Sequence, residues 1–125
     1  MKLDGEEHLG TLIAANGLAN VLSDLGRFEE ARSLLRKTLP LTRRALGESN
    51  ETMLRMRCNY AKAIYLDTGA TLTDLREAVT SLEDVARIAR RVLGGAHPLA
   101  VDIEQPLRGA RAALRAREAP PPGSA

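Results

Sequence analysis

Aromatic side chains are scarce in this sequence of 125 residues, which has no Trp, two Tyr and one Phe. Sheet cores draw heavily on aromatic residues, so the scarcity of aromatics argues against a β-sheet protein. Apolar residues still make up 44% of the sequence, which is enough for a thin core in one domain. The core is therefore expected to consist of Leu, Ala, Val and Ile carried by helices.

Charge of one sign is also lacking, because 18 Lys and Arg residues stand against 16 Asp and Glu residues, for a net charge of +2. The basic residues do not cluster in any segment. An extended nucleic-acid surface needs clustered cations and usually stacking aromatics. We therefore expect no nucleic-acid partner.

Cysteine is limited to Cys58, so the sequence forms no intramolecular disulfide and no Cys-rich metal site. No uninterrupted apolar run approaches the roughly 20 residues of a membrane span, and acids stand in the first ten residues, where a signal peptide needs an apolar core. The sequence therefore predicts a cytoplasmic protein without membrane contact.

Patterns typical of catalysis are missing as well. The sequence shows no glycine-rich phosphate loop, and Cys58 has no His beside it in sequence. His8 and His97 each lie three residues after a glycine, at the same place in different repeats, which favours a role in turns over metal ligation. We expect no enzymatic activity, no cofactor and no metal.

What the sequence does contain is a repeat. The stretch LANVLSDLGRFEEA at 18–31 returns in altered form as YAKAIYLDTGATLTDLREA at 60–78. Each copy has an apolar helical stripe, a glycine, and a second helix that begins with acids and an Ala. Such helical hairpins bury their apolar faces only by stacking on one another, which predicts a solenoid.

The helical spacing of apolar residues predicts five helices. They lie at about 10–25, 28–46 and 52–67, then after an N-cap at Thr73, and from Pro98 onward. Pro40 predicts a kink in the second helix, and Pro106 predicts a bend or split in the last. The apolar positions expected to face inward include Leu12, Leu18, Leu22, Leu25, Ala31, Leu35, Ala45, Met53, Met56, Tyr60, Ile64, Leu75, Ala78, Leu82, Val85, Ala89, Val92, Leu99, Ile103 and Leu107.

The pattern L-A-x-x-L-x-x-x-G-x-F-x-x-A from Leu18 to Ala31 resembles the tetratricopeptide repeat. More narrowly, it is similar to kinesin light chain repeats, whose hairpins are joined by an L-G-x-x-H-P turn. Gly5 and Gly47 lie 42 residues apart, in agreement with that repeat, and VLGGAHP at 92–98 is the best copy of the turn.

The resemblance implies an all-α, right-handed α-solenoid of about two and a half helix-turn-helix repeats. The repeats would span about 5–46, 47–93 and a partial 94–117, with a disordered Pro/Gly/Ser tail at 118–125. The last helix would cap the array with an outward polar face made of Asp102, Glu104, Arg108, Arg111 and Arg115.

In such a solenoid the first helices of the hairpins line a concave groove. The polar residues expected there are Asn16, Asn20, Arg55, Asn59 and Lys62, which form vertical strips on their helices. Side-chain amides donate to and accept from an extended peptide backbone. This predicts a protein-interaction module or scaffold that binds a peptide or partner helix, and the basic strip favours an acidic one.

Two alternatives stay open at this point. These polar residues are equally compatible with an ordinary solvated face. The chain would then be a structural spacer, or the truncated C-terminal piece of a larger array without binding activity of its own. Because the first hairpin has no polar capping helix before it, association through the N-terminal end of the stack is a further expectation.

Overall fold

A computed structural model of the protein describes the backbone of residues 5–119 and the side chains of residues 9–119. All regular secondary structure in this part of the chain is helical and it contains no strand, which confirms the all-α helical-repeat architecture. Six helices follow one another within residues 5–119: α1 (Gly5–Asp24), α2 (Phe28–Leu46), α3 (Glu51–Tyr65), α4 (Leu72–Val92), α5 (Pro98–Asp102) and α6 (Glu104–Glu118).

The helices stack in chain order as two hairpins followed by the α5–α6 pair. α1 packs on α2, α2 on α3, α3 on α4, and α4 on α6. Contacts also join α1 to α3 and α3 to α6. The helices α1, α3 and α6 therefore form one layer, and α2 and α4 each pack against that layer.

Local sequence explains where most helices begin and end. α2 has the bounds that its pattern predicts, and glycines with positive φ, Gly26 and Gly47, flank it. α3 begins after its N-cap residue Asn50, whose side chain accepts a hydrogen bond of 2.8 Å from the amide of Thr52.

The N-cap predicted at Thr73 is wrong, because α4 begins two residues earlier, after Thr71. The Thr71 hydroxyl accepts from the Asp74 amide at 3.1 Å, and the Asp74 carboxylate accepts from the Thr71 amide at 3.3 Å. This reciprocal pair requires an acid three residues after the cap, and Asp74 meets that condition only for Thr71.

The two prolines inside predicted helices behave differently. α2 runs through Pro40 from Phe28 to Leu46, and the expected kink stays a prediction. The expected split of the last helix is confirmed, since α5 ends at Asp102 and α6 begins at Glu104. Pro106 is the third residue of α6 and has no N–H to bond the carbonyl of Asp102, so the helix restarts before it.

Two clusters of buried side chains hold the stack together. The first joins α1, α2 and α3 and consists of Ala19, Leu22, Ala31, Leu35, Met56 and Ala63. The second is larger and joins α3, α4, α5 and α6; its largest side chains are Leu54, Ile64, Leu75, Leu82, Ile88, Leu99, Ile103 and Leu107.

Four positions expected to face inward are exposed. Leu18 and Leu25 are 52% and 64% exposed, because none of the described helices covers that face of α1. Val92 is 48% exposed at the end of α4, where the chain turns away. On α2 Ala45 is exposed, and Thr42 is buried instead.

No helix within the described range is long and apolar enough to cross a membrane.

At the C-terminal end, α6 includes Glu118, a residue that was predicted to belong to the disordered tail. The rest of the predicted disordered tail, residues 120–125, lies outside the described residues.

Candidate functional site

One groove brings together all five polar residues that the sequence placed on the inner wall of the stack. It is a cavity of about 400 Å³ between α1, α3 and the α5–α6 junction. The predicted residues that line it are Asn16, Asn20, Arg55, Asn59 and Lys62. The remaining lining residues are Cys58, Tyr65, Leu99, Asp102, Ile103, Gln105 and Pro106.

A hydrogen bond between two asparagines joins the first helices of the two hairpins across this groove. Asn59 Nδ2 donates to Asn16 Oδ1 at 2.8 Å. An amide carries two donor hydrogens and an acceptor oxygen, so the pair keeps the Asn16 amide as a donor and the Asn59 carbonyl as an acceptor. These groups complement the C=O and N–H of a peptide backbone.

The groove carries charges of both signs. Arg55 forms an ion pair with Glu51, with Nη2 and Oε1 3.5 Å apart. Lys62 makes no ion pair with any described residue. Asp102 adds a carboxylate from the end of α5. Lys62 is therefore the groove cation best able to bind a ligand carboxylate.

Asp102 was expected on the outward face of the capping helix, but it lines the groove. The break at Ile103 separates α5 from α6, so a single helical periodicity does not run through both. Residues on the two sides of the break therefore point differently from the prediction for one continuous helix. The same break places Gln105 and Pro106 in the groove, which no sequence pattern indicated.

Cys58 lies at the base of the groove and is only 8% exposed. Burial raises the pKa of its thiol from 9.0 to about 12, and the nearby cations Arg57, Arg55 and Lys62 offset only part of that rise. Since the thiolate is the reactive form, this cysteine is a poor nucleophile at neutral pH. Its environment agrees with a packing role.

Gly109 sets the distance between α6 and α3 beside the groove. A Cβ at this position would lie 2.9 Å from Cε1 of Tyr65, so only glycine allows this approach. Burial against α6 also raises the pKa of Tyr65. A glycine in the interior of a helix was the available sequence signal for this close contact.

His97 caps α5, which agrees with its expected role in a turn. Its Nδ1 accepts from the amide of Leu99 at 3.1 Å, and its Nε2 lies 2.8 Å from Oε1 of Glu51. His8 was also expected in a turn, and this is wrong because its backbone lies inside α1. Its side chain lies outside the described part, within which no cluster of His, Cys, Asp and Glu is suited to a metal ion.

Comparison with known proteins supports the interpretation of the repeat. The family model described as "Tetratricopeptide repeat" matches residues 11–51 and 72–99, which together make up more than half of the chain. No curated protein and no solved structure matched the chain. Tetratricopeptide repeats are helical hairpins that generally serve as protein-interaction modules, and the stacked hairpins α1–α2 and α3–α4 have that form. The chain therefore belongs to the tetratricopeptide repeat family.

Proposed function

We propose that the chain binds a peptide segment or partner helix of another protein in the groove between α1, α3 and the α5–α6 junction. The observation that carries this proposal is the Asn16–Asn59 pair, bonded at 2.8 Å in a cavity of about 400 Å³. The pair presents a donor and an acceptor at fixed positions. Because backbone groups are the same in every peptide, such a pair supports binding without a strict sequence requirement.

The charged residues of the groove support a preference for acidic peptides. Lys62 has no acidic partner among the described residues, whereas Arg55 is paired with Glu51. A ligand carboxylate beside Lys62 would form a charge-assisted hydrogen bond, which is stronger than a neutral one. Asp102 on the opposite wall repels a second acid. The proposed ligand is therefore an acidic peptide whose carboxylate lies next to Lys62 and away from Asp102.

Two finer assignments belong to the same proposal. The spacing of 42 residues between Gly5 and Gly47 and the turn VLGGAHP support membership of the kinesin light chain-like subfamily. The single cysteine supports a reducing compartment, and we propose the cytoplasm.

The test begins with affinity capture from a lysate on the full chain, followed by identification of the bound segments. Synthetic peptides of these segments are then titrated by fluorescence anisotropy against the wild type and the Asn59→Ala variant. We expect the substitution to weaken binding about tenfold. Because it also removes the bond to Asn16, it should cost about 1 kcal/mol of stability, so the titration is run well below the melting temperature.

The charge preference is tested separately with matched acidic and neutral peptides at several salt concentrations. Lys62→Ala should lower affinity for the acidic peptide and flatten its salt dependence. Lys37→Ala, on the exposed face of α2, is the control that removes the same charge away from the groove. If peptides bind equally to the wild type and to both groove variants, the groove is not the binding site. If no segment is captured, the alternative of a structural spacer is favoured.

A further inference from the structure

One face of α1 carries large apolar side chains that are more than half exposed. Leu18 and Val21 are each 52% exposed, and Leu25, just beyond the helix end, is 64% exposed. Their spacing of three and four residues places them on one side of the helix. We call this set, Leu18, Val21 and Leu25, the α1 outer face.

The chain contains an internal standard for this face, because α3 is the repeat of α1 shifted by 42 residues. Three matched pairs show the equivalence: Leu12 with Leu54, Ala19 with Ala61, and Leu22 with Ile64. All six side chains are buried. Ala19 and Leu22 pack with residues of α2, and Ala61 and Ile64 pack in the cluster with residues of α4. Each first helix therefore turns the same face toward the second helix of its own hairpin.

The residues of α3 that correspond to the α1 outer face are covered by the preceding hairpin. Leu18 and Val21 correspond to Tyr60 and Ala63, which pack in the cluster that contains Leu35 of α2. Ala63 is fully buried there. The geometry of the repeat therefore indicates that a helix fits the α1 outer face. This helix would pack on α1 in the same way that α2 packs on α3.

The chemistry of the two faces differs in a specific way. Arg36 Nη2 donates to the Tyr60 hydroxyl of α3 at 3.5 Å, and Arg32 Nη2 donates at 3.0 Å to Oδ2 of Asp67, which lies just beyond the end of α3. With the shift of 42 residues, Leu18 replaces Tyr60 and Leu25 replaces Asp67. The α1 outer face thus has leucines at the two positions where polar groups bind these arginines.

We propose that the α1 outer face binds an amphipathic α-helix of another protein, in the position that α2 takes on α3. Its apolar stripe would carry aliphatic residues where α2 has Arg32 and Arg36. Burial of exposed Leu and Val side chains supplies the driving force. This inference is independent of the groove, which lies on a different face of α1.

A second copy of the chain offers neither α2 nor α6 as a good fit for this surface. Its α2 carries Arg32 and Arg36 and is already covered by its own α3. The exposed side of its α6 carries Arg108, Arg111 and Arg115, and burying these charges against leucines is unfavourable. These observations favour a foreign aliphatic helix over α2 or α6 of a second copy as the occupant.

The probe is a labelled synthetic peptide with the sequence of residues 28–46 in which Arg32→Leu and Arg36→Leu remove both arginines. The unmodified 28–46 peptide is the matched control. Fluorescence anisotropy against the full chain should show affinity about tenfold higher for the substituted peptide. The double variant Leu18→Asp with Val21→Asp should lose this binding. Val101→Asp, at a residue of α5 that is 55% exposed, should retain it.

Three results would overturn the proposal. The first is that the substituted peptide does not bind or binds no better than the unmodified one. The second is that binding survives the double Asp variant, whose fold is checked by circular dichroism. The third comes from sedimentation: if the wild type self-associates and the double variant is monomeric, the occupant is a second copy of the chain.

Discussion

The hairpins α1–α2 and α3–α4 share one sequence pattern but differ in how much of it they bury. α3 buries seven of its fifteen residues, because it packs on α1, α2, α4 and α6. Within the described part of the chain α1 packs mainly on α2 and α3, and it leaves Leu18 and Val21 half exposed. The same helical pattern is thus buried on two faces in one hairpin and on one face in the other. In a stack, burial depends on how many neighbours a helix has.

The strongest test of this comparison substitutes one leucine on each first helix. Leu54→Ala removes a fully buried side chain of α3 and should lower the free energy of unfolding by about 3 kcal/mol. Leu18→Ala removes a half-exposed side chain of α1 and should change it by less than about 0.5 kcal/mol. Urea unfolding followed by circular dichroism measures both. Equal losses would show that the α1 outer face is buried in solution.

A second test addresses the contact between the hairpins at Arg32, where α4 has Val79 at the equivalent position 47 residues later. The Arg32 side chain is only 9% exposed; it pairs with Asp67 at 3.0 Å and with Asp74 at 3.7 Å. Arg32→Val should lower the free energy of unfolding by about 2 kcal/mol. This is less than the loss expected for a fully buried ion pair, because both carboxylates still reach water.

The control for this test is Arg36→Val, one helical turn further on, which removes an exposed arginine. It should change stability by less than about 0.5 kcal/mol in the same urea experiment. If Arg32→Val is as stable as the wild type, the desolvation cost of Arg32 equals the gain from its ion pairs. The contact between the hairpins would then rest on apolar packing alone.

The smallest expected effect concerns Cys58, which corresponds to the half-buried Asn16 in the first hairpin. Burial raises the pKa of the Cys58 thiol from 9.0 to about 12. A raised pKa in the folded state means that stability is fully present below pH 9 and is lost as pH rises from 9 toward 12. Between pH 8.5 and 10, the wild type should lose about 1 kcal/mol more than Cys58→Ala.

Urea unfolding at each pH measures this difference between the two proteins. The comparison with Cys58→Ala cancels the titration of the other groups, which both proteins share. If the free energy of unfolding depends on pH in the same way for both proteins, the thiol is solvated in the folded state. This position would then be as accessible to solvent in the second hairpin as in the first.

The sequence predicted helix boundaries correctly where capping residues and apolar periodicity agree. α2 begins at Phe28 and ends at Leu46, as predicted, because acids in its first turn and Arg43 and Arg44 in its last complement the helix dipole. The N-cap of α4 was misplaced, although the Thr71 and Asp74 pair was present in the sequence. Here the local pattern was sufficient, and its three-residue spacing distinguishes Thr71 from Thr73.

The candidate groove was predictable on one wall only. Asn16, Asn20, Arg55, Asn59 and Lys62 lie on α1 and α3, where helical periodicity and the repeat indicate one face. The opposite wall depends on the break at Ile103, which directs Asp102, Gln105 and Pro106 into the groove. A break in a helix changes direction by an angle that periodicity does not encode.

The sequence by itself determined the helices, the hairpin repeat and the residues of the inner layer, because capping, proline chemistry and helical periodicity act within a few residues along the chain. Only the tertiary structure decided which apolar faces are covered, how Asn59 meets Asn16, and what pairs with Arg32. These depend on contacts between residues 35 to 43 positions apart. Leu18 and Tyr60 occupy equivalent positions, but Tyr60 packs against both buried clusters, one of which contains Leu35 of α2, whereas Leu18 is half exposed.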